Sequence, residues 1–396
     1  MSFEPYQGRY LRAYNEARGL IDNGYQVTVL AWDRSGKSKP VEIRDGIRIK
    51  RIHTAASDTT SIKTLPMFMQ FAAKVILWQK NQRFDIIHCH NLQLLPLGFY
   101  LKKIMSIPLV FDSCEPDYFA LYPYALHGAV LAFEKLLIKR ADAVLVHNEY
   151  QVNKYRNMGH PKVSLIGSYP TLNMVRHSTL EPIEKKYKRD KKNIVFGRIG
   201  SIYRDNGIEE MLAAFRLLLK RQDNVHLFFA GRVFEAYQDK FKSLIKGMED
   251  NVTVIGAFNS CDMPNLYSRI DISIMIYKRS LWFQNITPTK FFDSLAFGVP
   301  VIVSDMGGLK DIIAKYRCGI VVDERDPQAV VDAMEDMIKQ PEQISQMRNH
   351  GLHAVKEQFN WDRMIKKLLD IYDTLGHGEL LPLLKRNNEN KSELIG

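Results

Sequence analysis

Residues 285–305 read NITPTKFFDSLAFGVPVIVSD, a polar start followed by two apolar runs. Thr287 is of a residue type that caps helix N-termini, and Pro288 suits the first helical position, so the segment predicts a helix over 290–297. The second apolar run predicts a buried strand over 299–304. A helix that leads directly into a buried strand is a building unit of sheets whose strands are mostly parallel.

The same alternation of helix and strand patterns covers most of the chain. The predicted strands lie at 26–31, 47–53, 84–89, 108–112, 143–146, 194–196, 226–230, 252–255, 271–276, 299–304 and 319–323. The predicted helices lie at 10–23, 65–79, 129–140, 149–158, 208–220, 241–248, 290–297, 327–339 and 360–375. This order predicts the α/β class, with two Rossmann-like domains facing each other across a cleft.

A basic segment separates the two halves of this pattern. Residues 181–193 read EPIEKKYKRDKKN, which is almost wholly polar and contains a proline, and such a composition is typical of a linker. We therefore place an N-terminal domain at 1–180, the linker at 181–193 and a C-terminal domain at 194–358. A helix over 359–380, able to return to the N-terminal domain, and a polar tail over 381–396 complete the organisation.

The first domain begins with a helix pattern, whereas a domain of this class normally opens with a buried strand. Met1–Gly8 is too polar to be that strand, so the first strand of the sheet is predicted to be missing. A truncated chain, a misassigned start and a modified sheet edge are three open explanations. In each case the loop around Tyr6–Gly8 lacks the strand that would anchor it.

Composition argues against several classes of function. The formal net charge of +11 favours anionic partners, but we find no zinc finger or RNA-recognition signature, so nucleic acid is not expected as a partner. The four cysteines are far apart in sequence, which argues against a zinc site and fits a reducing compartment. With no secretory signal and no apolar run near ~18 residues, we expect a cytoplasmic protein.

Ligands of open α/β sheets bind outside the carboxyl ends of the strands, which directs attention first to the start of the helix at 290–297. Free N–H groups and the positive end of the helix dipole suit phosphate there. Lys290 in the first turn suits a diphosphate, and Asp293 on the same face can accept hydrogen bonds from ribose hydroxyls. An ordinary capped helix with two solvated charges is the alternative.

A second candidate segment follows the strand at 194–196 and reads FGRIGSIYRDNG over residues 196–207. Its three glycines allow a ligand to approach the backbone closely, and Arg198 and Arg204 can hold phosphate oxygens. The spacing is neither a dinucleotide-binding fingerprint nor a Walker loop, so a nicotinamide dehydrogenase is the least expected function.

Several segments, in the right order, resemble the GT-B-fold glycosyltransferases of family 4, also called group 1. In the second half they are the turn at Gly197–Arg198, the strands and turns at 225–231 and 252–256, and the helix that ends DSLAFGVPVIVSD. In the first half they are NGYQVTVLAWDR, FDIIHCHN and VFDSCE. The resemblance covers nearly the whole chain and implies that the second domain binds a nucleotide-sugar.

The resemblance also implies roles for residues that bind the donor. Family members neutralise the diphosphate with an arginine, here Arg198, and with a lysine, at the position where this chain has Asn206 and where Arg204 can substitute. Two family glutamates separated by seven residues fall at Asn285 and Asp293. This chain therefore lacks the first of the two negative charges and keeps the second. A branch of the family has proline–x–lysine before the second carboxylate, as in Pro288–Thr289–Lys290. The expected donor-binding residues are Gly197, Arg198, Arg204, Thr287, Thr289, Lys290 and Asp293.

On the acceptor side, family members place a histidine near the transferred sugar, and His90 follows a strand in the matching position. The alternative is that His88 and His90 are one buried and one surface histidine. Cys114 stands where many relatives have a histidine and cannot make the same hydrogen bonds. The expected acceptor-side residues are Gly8, His90, Asn91, Cys114 and Glu115, and the expected catalytic residues are His90, Arg198 and Lys290.

The sequence thus predicts an enzyme that transfers a sugar from a nucleoside-diphosphate sugar, of the UDP or GDP type, to a hydroxyl group. The acceptor is a glycan, a lipid-linked molecule or a small molecule, and the resemblance implies a retaining reaction with no metal and no cofactor. A nucleotide-sugar epimerase and a partner subunit without turnover are the alternatives, and the missing first strand, Asn285 and Cys114 favour the second. The helical pattern at 67–78 either contacts the inner face of a membrane or belongs to the core. The oligomeric state is not predicted.

Overall fold

Two compact units make up the protein in a computed structural model. The structure describes residues 11–56, 64–113, 126–172, 193–204, 206–279 and 286–376. The first unit comprises Met1–Ile166 together with Met364–Gly396, and the second comprises Gly167–Arg363. Most of the predicted linker and all of the predicted tail lie outside the described residues. The domain limits that the sequence suggested therefore stay a prediction.

The first unit alternates helices and strands. In chain order its elements are α1 (Leu11–Asp22), β1 (Thr28–Asp33), β2 (Val41–Arg44), β3 (Ile47–His53), α2 (Leu65–Gln79), β4 (Ile87–His90), α3 (Leu95–Met105), β5 (Leu109–Ser113), α4 (His127–Ile138), β6 (Ala143–Val146), α5 (Glu149–Asn157) and β7 (Val163–Leu165). They form two sheets, ordered β1-β3-β2 and β4-β5-β6-β7. β2 pairs with β3 antiparallel, and the other neighbouring strands pair parallel. Among the described residues, no strand precedes α1.

Helices cover the parallel strands of the first unit, and the strands are correspondingly apolar. Every residue of β5 and β6 is buried, as expected where both faces of a parallel sheet are covered. α2 contributes Phe71 and Val75 to the same core as Phe111 of β5. The ring of Trp32 stacks on Phe71 with 5.5 Å between centroids, which attaches β1 to this core.

The second unit contains a single six-stranded parallel sheet in its described part. Its elements are β8 (Ile194–Ile199), α6 (Ile208–Leu218), β9 (Val225–Ala230), α7 (Gln238–Ile245), β10 (Val252–Ile255), α8 (Met263–Tyr267), β11 (Ile272–Met275), α9 (Thr289–Ala296), β12 (Val301–Ser304), α10 (Leu309–Tyr316), β13 (Gly319–Val322), α11 (Pro327–Lys339) and α12 (Pro341–Glu357). The strand order is β10-β9-β8-β11-β12-β13. The chain builds the sheet outward from β8 in one direction and from β11 in the other. Ligands of doubly wound sheets bind at such a switch point.

The last helix, α13 (Trp361–Leu375), belongs to the first unit from Met364 onward. There the hydroxyl of Tyr25 donates to Asp373 at 2.8 Å. None of the described helices combines the length and the apolar character that a membrane-spanning helix needs.

The predicted α/β class and parallel sheets are confirmed, and most element positions agree to within three residues. The sequence patterns missed α3, α10 and α12, as well as the short β2, β7 and α8. β1 begins two residues later than predicted, and β4 begins three residues later.

Candidate functional site

The end of β8 carries a buried arginine. Arg198 is only 3% exposed, and its Nε has no hydrogen-bond partner in the described part of the chain. The guanidinium carbon lies 4.9 Å from the ring centroid of Tyr277. A Cβ on the preceding Gly197 would meet the side chain of Ile270 at 2.2 Å, so glycine is required at that position. The cation is therefore held against an aromatic ring.

Tyr277 follows β11 and connects it to β12. Its backbone N–H donates to Ser304 Oγ at 3.0 Å, and Ser304 Oγ donates back to the Tyr277 carbonyl at 3.1 Å. Arg198 thus lies where β8, β11 and β12 all end. This is the position at which the strand order predicts ligand binding.

The first turn of α9 lies at the same edge and has no capping side chain. The helix begins at Thr289, and Pro288 is its N-cap with an extended backbone. The predicted cap at Thr287 is wrong because the Thr287 hydroxyl donates instead to the Gly307 carbonyl at 2.8 Å. The N–H groups of the first turn are consequently not satisfied by a cap and remain suited to an anion.

Lys290 and Asp293 form an ion pair on α9, with 3.0 Å between Nζ and Oδ2. The Lys290 side chain is one-third exposed, whereas that of Asp293 is almost buried. A Cβ on Gly200 would lie 3.8 Å from Lys290 Cγ, so the lysine stem runs along the turn that follows Arg198. The structure therefore brings together the turn after β8 and the start of α9.

Close backbone packing requires glycine at one position in the turn after β8 and at another in the turn after β9. Gly207 has a φ of +65°, and a Cβ there would lie 1.7 Å from the Ile276 carbonyl oxygen. A Cβ on Gly231 would lie 1.9 Å from the Gly200 carbonyl oxygen. Asn206 is buried, and its Nδ2 donates to the Ser201 carbonyl at 2.6 Å, so it fixes the turn. Arg204 is exposed on that turn, and its role at the donor stays a prediction.

In the first unit, the predicted His90 belongs to a buried charge network. Asp112 accepts two hydrogen bonds of 2.8 Å from the guanidinium of Arg12. His90 Nδ1 lies 3.2 Å from Asp112 Oδ2, and His90 Nε2 lies 3.6 Å from Glu16 Oε2. The ring of His88 stacks on that of His90 with 4.6 Å between centroids. The sequence did not predict Glu16 and Asp112 as partners of His90, nor Arg12 as the partner of Asp112.

Burial sets the protonation states in this network. Burial lowers the pKa of His90, and the hydrogen bond to Asp112 only partly opposes it, so His90 is neutral near pH 7. Burial and the nearby charge of Asp112 raise the pKa of Glu16 well above its usual value. Burial also acts to raise the pKa of Asp112, but Arg12 and His90 outweigh it and hold that pKa well below its usual range. Asp112 is therefore the anion of the network.

Four of these residues could in principle hold a metal ion. Glu16, His88, His90 and Asp112 have ligand atoms within 4.8 Å of one another. However, the two imidazole rings are nearly parallel, with 8° between their planes, so one ion cannot lie in both ring planes. Arg12 already engages both oxygens of Asp112. The geometry supports a hydrogen-bonded charge network rather than a metal centre.

The other acceptor-side predictions divide into two groups. Asn91 directly follows β4, is buried and has a φ of +65°, a strained conformation that often occurs at functional sites. Its N–H donates to the Asp112 carbonyl at 2.9 Å, so it adjoins the network. Gly8, Cys114 and Glu115 lie outside the described residues, as does Asn285 of the donor side.

We expect acid to destabilise the protein in part through His88. Burial lowers the pKa of His88 to about 3 from the usual 6.5. The unfolded chain then binds the proton more readily, so stability falls as the pH drops from about 6.5 towards 3, by up to about 1.4 kcal/mol per pH unit. His88→Asn should reduce the loss of unfolding free energy between pH 7 and pH 4.5 in urea titrations. The exposed His350→Asn is the control, and equal losses in all three proteins would contradict the prediction.

Comparisons with known proteins match both units. A family described as "Glycosyl transferase 4-like domain" matches residues 8–166, and "Glycosyl transferases group 1" matches residues 181–353. The two matches agree with the α/β fold of the two units. The chain belongs to the group 1 glycosyltransferases.

Three relatives show how far the similarity extends. A D-inositol 3-phosphate glycosyltransferase of Corynebacterium diphtheriae is 22% identical over 382 residues, which are 90% of this chain and 87% of the relative. Sucrose-phosphate synthase from Thermosynechococcus elongatus has a TM-score of 0.75 at 18% identity, covering 93% of each chain. HepE of Anabaena, solved in complex with UDP-glucose, has a TM-score of 0.71 at 15% identity, covering 95% of this chain and 98% of that one. The two solved structures share the GT-B fold with this protein.

Proposed function

We propose that the protein transfers a sugar from a nucleoside-diphosphate sugar to a hydroxyl acceptor, with the donor bound at the carboxyl ends of β8, β11 and β12. The observation that carries the proposal is Arg198, a buried cation whose Nε has no hydrogen-bond partner in the described chain. Burying a charge is costly without an anionic partner. An incoming diphosphate supplies that partner.

The neighbouring groups complete a site for the diphosphate and its ribose. The uncapped first turn of α9 offers N–H groups and the positive end of the helix dipole. Lys290 is exposed enough to leave Asp293 for a phosphate oxygen. Asp293 is then available to accept hydrogen bonds from the ribose hydroxyls. We propose Thr287, Thr289 and Gly197, which lie beside these groups in the chain, as further donor-binding residues.

Catalysis follows from where charge develops. When the bond between the anomeric carbon and the diphosphate breaks, negative charge accumulates on the leaving phosphate. Arg198, Lys290 and the helix N-terminus are placed to stabilise that charge, which is the usual source of the largest rate effects. We propose a retaining, metal-independent reaction in which neutral His90 is a further catalytic residue.

The donor and acceptor are assigned only by class. HepE of Anabaena was solved with UDP and with UDP-glucose, which makes UDP-sugars the first donors to test here, ahead of GDP-sugars. The acceptor is a glycan, a lipid-linked molecule or a small molecule.

α2 exposes Leu65, Met69 and Leu77 while it buries Phe71 and Val75, so a contact of its outer face with a membrane stays a proposal.

We expect calorimetric titration to detect binding of UDP or GDP that depends on Lys290. Loss of a hydrogen bond to a charged group costs about 1.5–3 kcal/mol, so Lys290→Ala should weaken nucleotide binding by roughly 10- to 100-fold. Lys339→Ala is the matched control, because Lys339 forms a similar ion pair with Glu335 on a helix of the same unit and should bind the nucleotide normally.

The outcomes separate the proposed transferase from its alternatives. Nucleotide binding that Lys290→Ala leaves unchanged would remove the donor-site assignment. Binding of a sugar nucleotide without any release of nucleoside diphosphate, even with acceptors present, would favour a partner subunit. Conversion of the donor sugar with no acceptor present would instead indicate an epimerase.

A further inference from the structure

Two neighbouring helices of the first unit, α3 and α4, expose large apolar side chains. Tyr100 and Ile104 of α3, and Phe133 and Leu136 of α4, are each 44–54% exposed. The first pair is four residues apart and the second pair three, so each pair lies on one side of its helix. Single exposed apolar side chains are common, but a group of them on adjacent elements marks an interaction surface.

The outer sides of α3 and α4 belong to one surface. α3 connects β4 to β5 and α4 connects β5 to β6, in a sheet ordered β4-β5-β6-β7. Right-handed crossovers that step the same way across a sheet place their helices on the same face. Lys102 Nζ donates to the Arg140 carbonyl at 2.9 Å, and the Arg140 guanidinium carbon lies 4.9 Å from the ring centroid of Phe99. The α3–α4 face is defined by Tyr100, Lys103, Ile104, Phe133, Lys135 and Leu136.

The α3–α4 face carries exposed positive charge beside its apolar side chains. Lys103 and Lys135 are exposed on the two helices, and Lys139 is exposed directly after α4. The nearby Asp142 is already engaged by Lys102, with 2.7 Å between Nζ and Oδ2. The three exposed lysines therefore give this face a positive potential.

The acid of α4 points away from this face. α3 contains no acid, and Glu134 is the only one in α4, both helices being described over their full length. Glu134 is fully buried. Its carboxylate lies 2.9 Å from Lys154 Nζ and accepts a 2.6 Å hydrogen bond from the Tyr155 hydroxyl. These partners on α5 hold the negative charge inside the unit.

We propose that the α3–α4 face binds the surface of an anionic lipid membrane. Helices that lie in the plane of a membrane combine apolar and aromatic side chains with lysines that attract anionic lipids. Phe133 and Leu136 enter the apolar layer, while the long side chain of Lys135 extends to the headgroups. This binding involves no residue of α2 and no step of the proposed transferase reaction, so it goes beyond both.

Charge decides against a second copy of the chain as the occupant. In a two-fold dimer the same patch of each chain faces its copy. Such a contact would bring Lys103, Lys135 and Lys139 towards the same three lysines of the other chain, and like charges oppose association. An anionic lipid surface instead offers negative charge to the lysines and an apolar layer to the side chains between them.

Flotation with lipid vesicles tests the apolar part of this surface. Vesicles of phosphatidylcholine mixed with phosphatidylglycerol are compared with vesicles of phosphatidylcholine alone. We expect the wild type to bind the mixed vesicles more tightly, and Phe133→Ser with Leu136→Ser to weaken that binding by at least about tenfold. Val41→Ser with Ile43→Ser is the matched control, because these exposed side chains lie on β2 of the same unit, and it should bind like the wild type.

A second pair of variants tests the charge. Lys135→Gln with Lys139→Gln should weaken binding to the mixed vesicles by about 10- to 30-fold, since each lysine near an anionic surface contributes to the attraction. Lys240→Gln with Lys242→Gln is the control, because it removes the same charge from exposed positions of the second unit. It should leave vesicle binding unchanged.

Urea unfolding and calorimetric titration with UDP separate this inference from folding and from the proposed function. The exchanged side chains are exposed, so stability and nucleotide binding should equal those of the wild type in every variant. A chain that binds vesicles but no nucleotide would contradict the transferase proposal and leave this inference supported.

Four results would overturn the inference. They are a wild type that binds neither kind of vesicle, equal binding to both kinds, equal binding by the wild type and the Phe133 and Leu136 variant, and a wild-type dimer in sedimentation without vesicles that this variant dissociates. The last result would assign the face to a second copy of the chain.

Discussion

Replacing Arg198 with methionine is expected to reduce kcat by about 100- to 1000-fold without lowering the stability of the protein. Loss of one donor that stabilises developing charge typically has an effect of this size on kcat. Methionine fills a similar volume but has no charge. Arg198 is buried, and its Nε has no hydrogen-bond partner in the described chain, so the folded state loses little when the charge is removed.

Release of nucleoside diphosphate from the sugar nucleotide found by titration measures kcat, and urea unfolding measures stability. Arg221→Met is the matched control, because Arg221 is exposed and pairs with Glu335 in the same unit, and it should leave kcat unchanged. Arg198→Lys retains the positive charge but lacks the planar guanidinium group with its several N–H donors. It should therefore recover only part of the kcat that Arg198→Met loses. A large loss of stability with normal kcat would show that Arg198 is structural.

The segments of the proposed donor side could be placed from the sequence because they lie beside recognisable strands. Arg198 directly precedes the end of β8, and Lys290 and Asp293 lie at the start of a helix that leads into β12. In a parallel sheet, the ends of neighbouring strands meet at one edge, so the sequence order alone places these segments together. The cap predicted at Thr287 is wrong because its hydroxyl bonds to the Gly307 carbonyl, a tertiary contact 20 residues away that no local pattern shows.

The charge network of the first unit could not be predicted in the same way. Arg12 and Asp112 are 100 residues apart in sequence, and no local pattern links an arginine in a helix to an aspartate in a strand. His90 was found only through the family resemblance. The one signal for this network in the sequence was Asp112, a charged residue inside the apolar run Leu109–Ser113. A buried charge requires a partner, so its position indicates that one exists.

The missed helices have local physical reasons. α3 is apolar over most of its length, with Leu95, Leu97 and Leu101 buried, so it lacks the polar face that makes a surface helix visible in a sequence. α12 begins at Pro341, directly after α11. Proline ends a helix when it lies in the interior but suits the first position of a new one, and the sequence patterns predicted no helix between 339 and 360.

Arg12→Ala is expected to destabilise the protein by about 3–5 kcal/mol, the usual cost of removing one partner from a buried ion pair. Arg12 donates two hydrogen bonds to Asp112, whose side chain is fully buried, and its Nε lies 3.2 Å from Glu16. Without the guanidinium, the Asp112 carboxylate remains buried beside a second acid. α1 also loses its attachment to β5.

Urea unfolding at pH 7 measures this cost, with Arg18→Ala as the matched control. Arg18 lies on the same helix and pairs with Asp22 at 2.6 Å, but both side chains are substantially exposed, so its loss should cost no more than about 1 kcal/mol. The double variant Arg12→Leu with Asp112→Asn removes both charges and should recover much of the stability lost in Arg12→Ala. If Arg12→Ala costs no more than Arg18→Ala, the buried pair does not hold α1 to the sheet. If the double variant is no more stable than Arg12→Ala, an uncompensated Asp112 charge is not the cause of the loss.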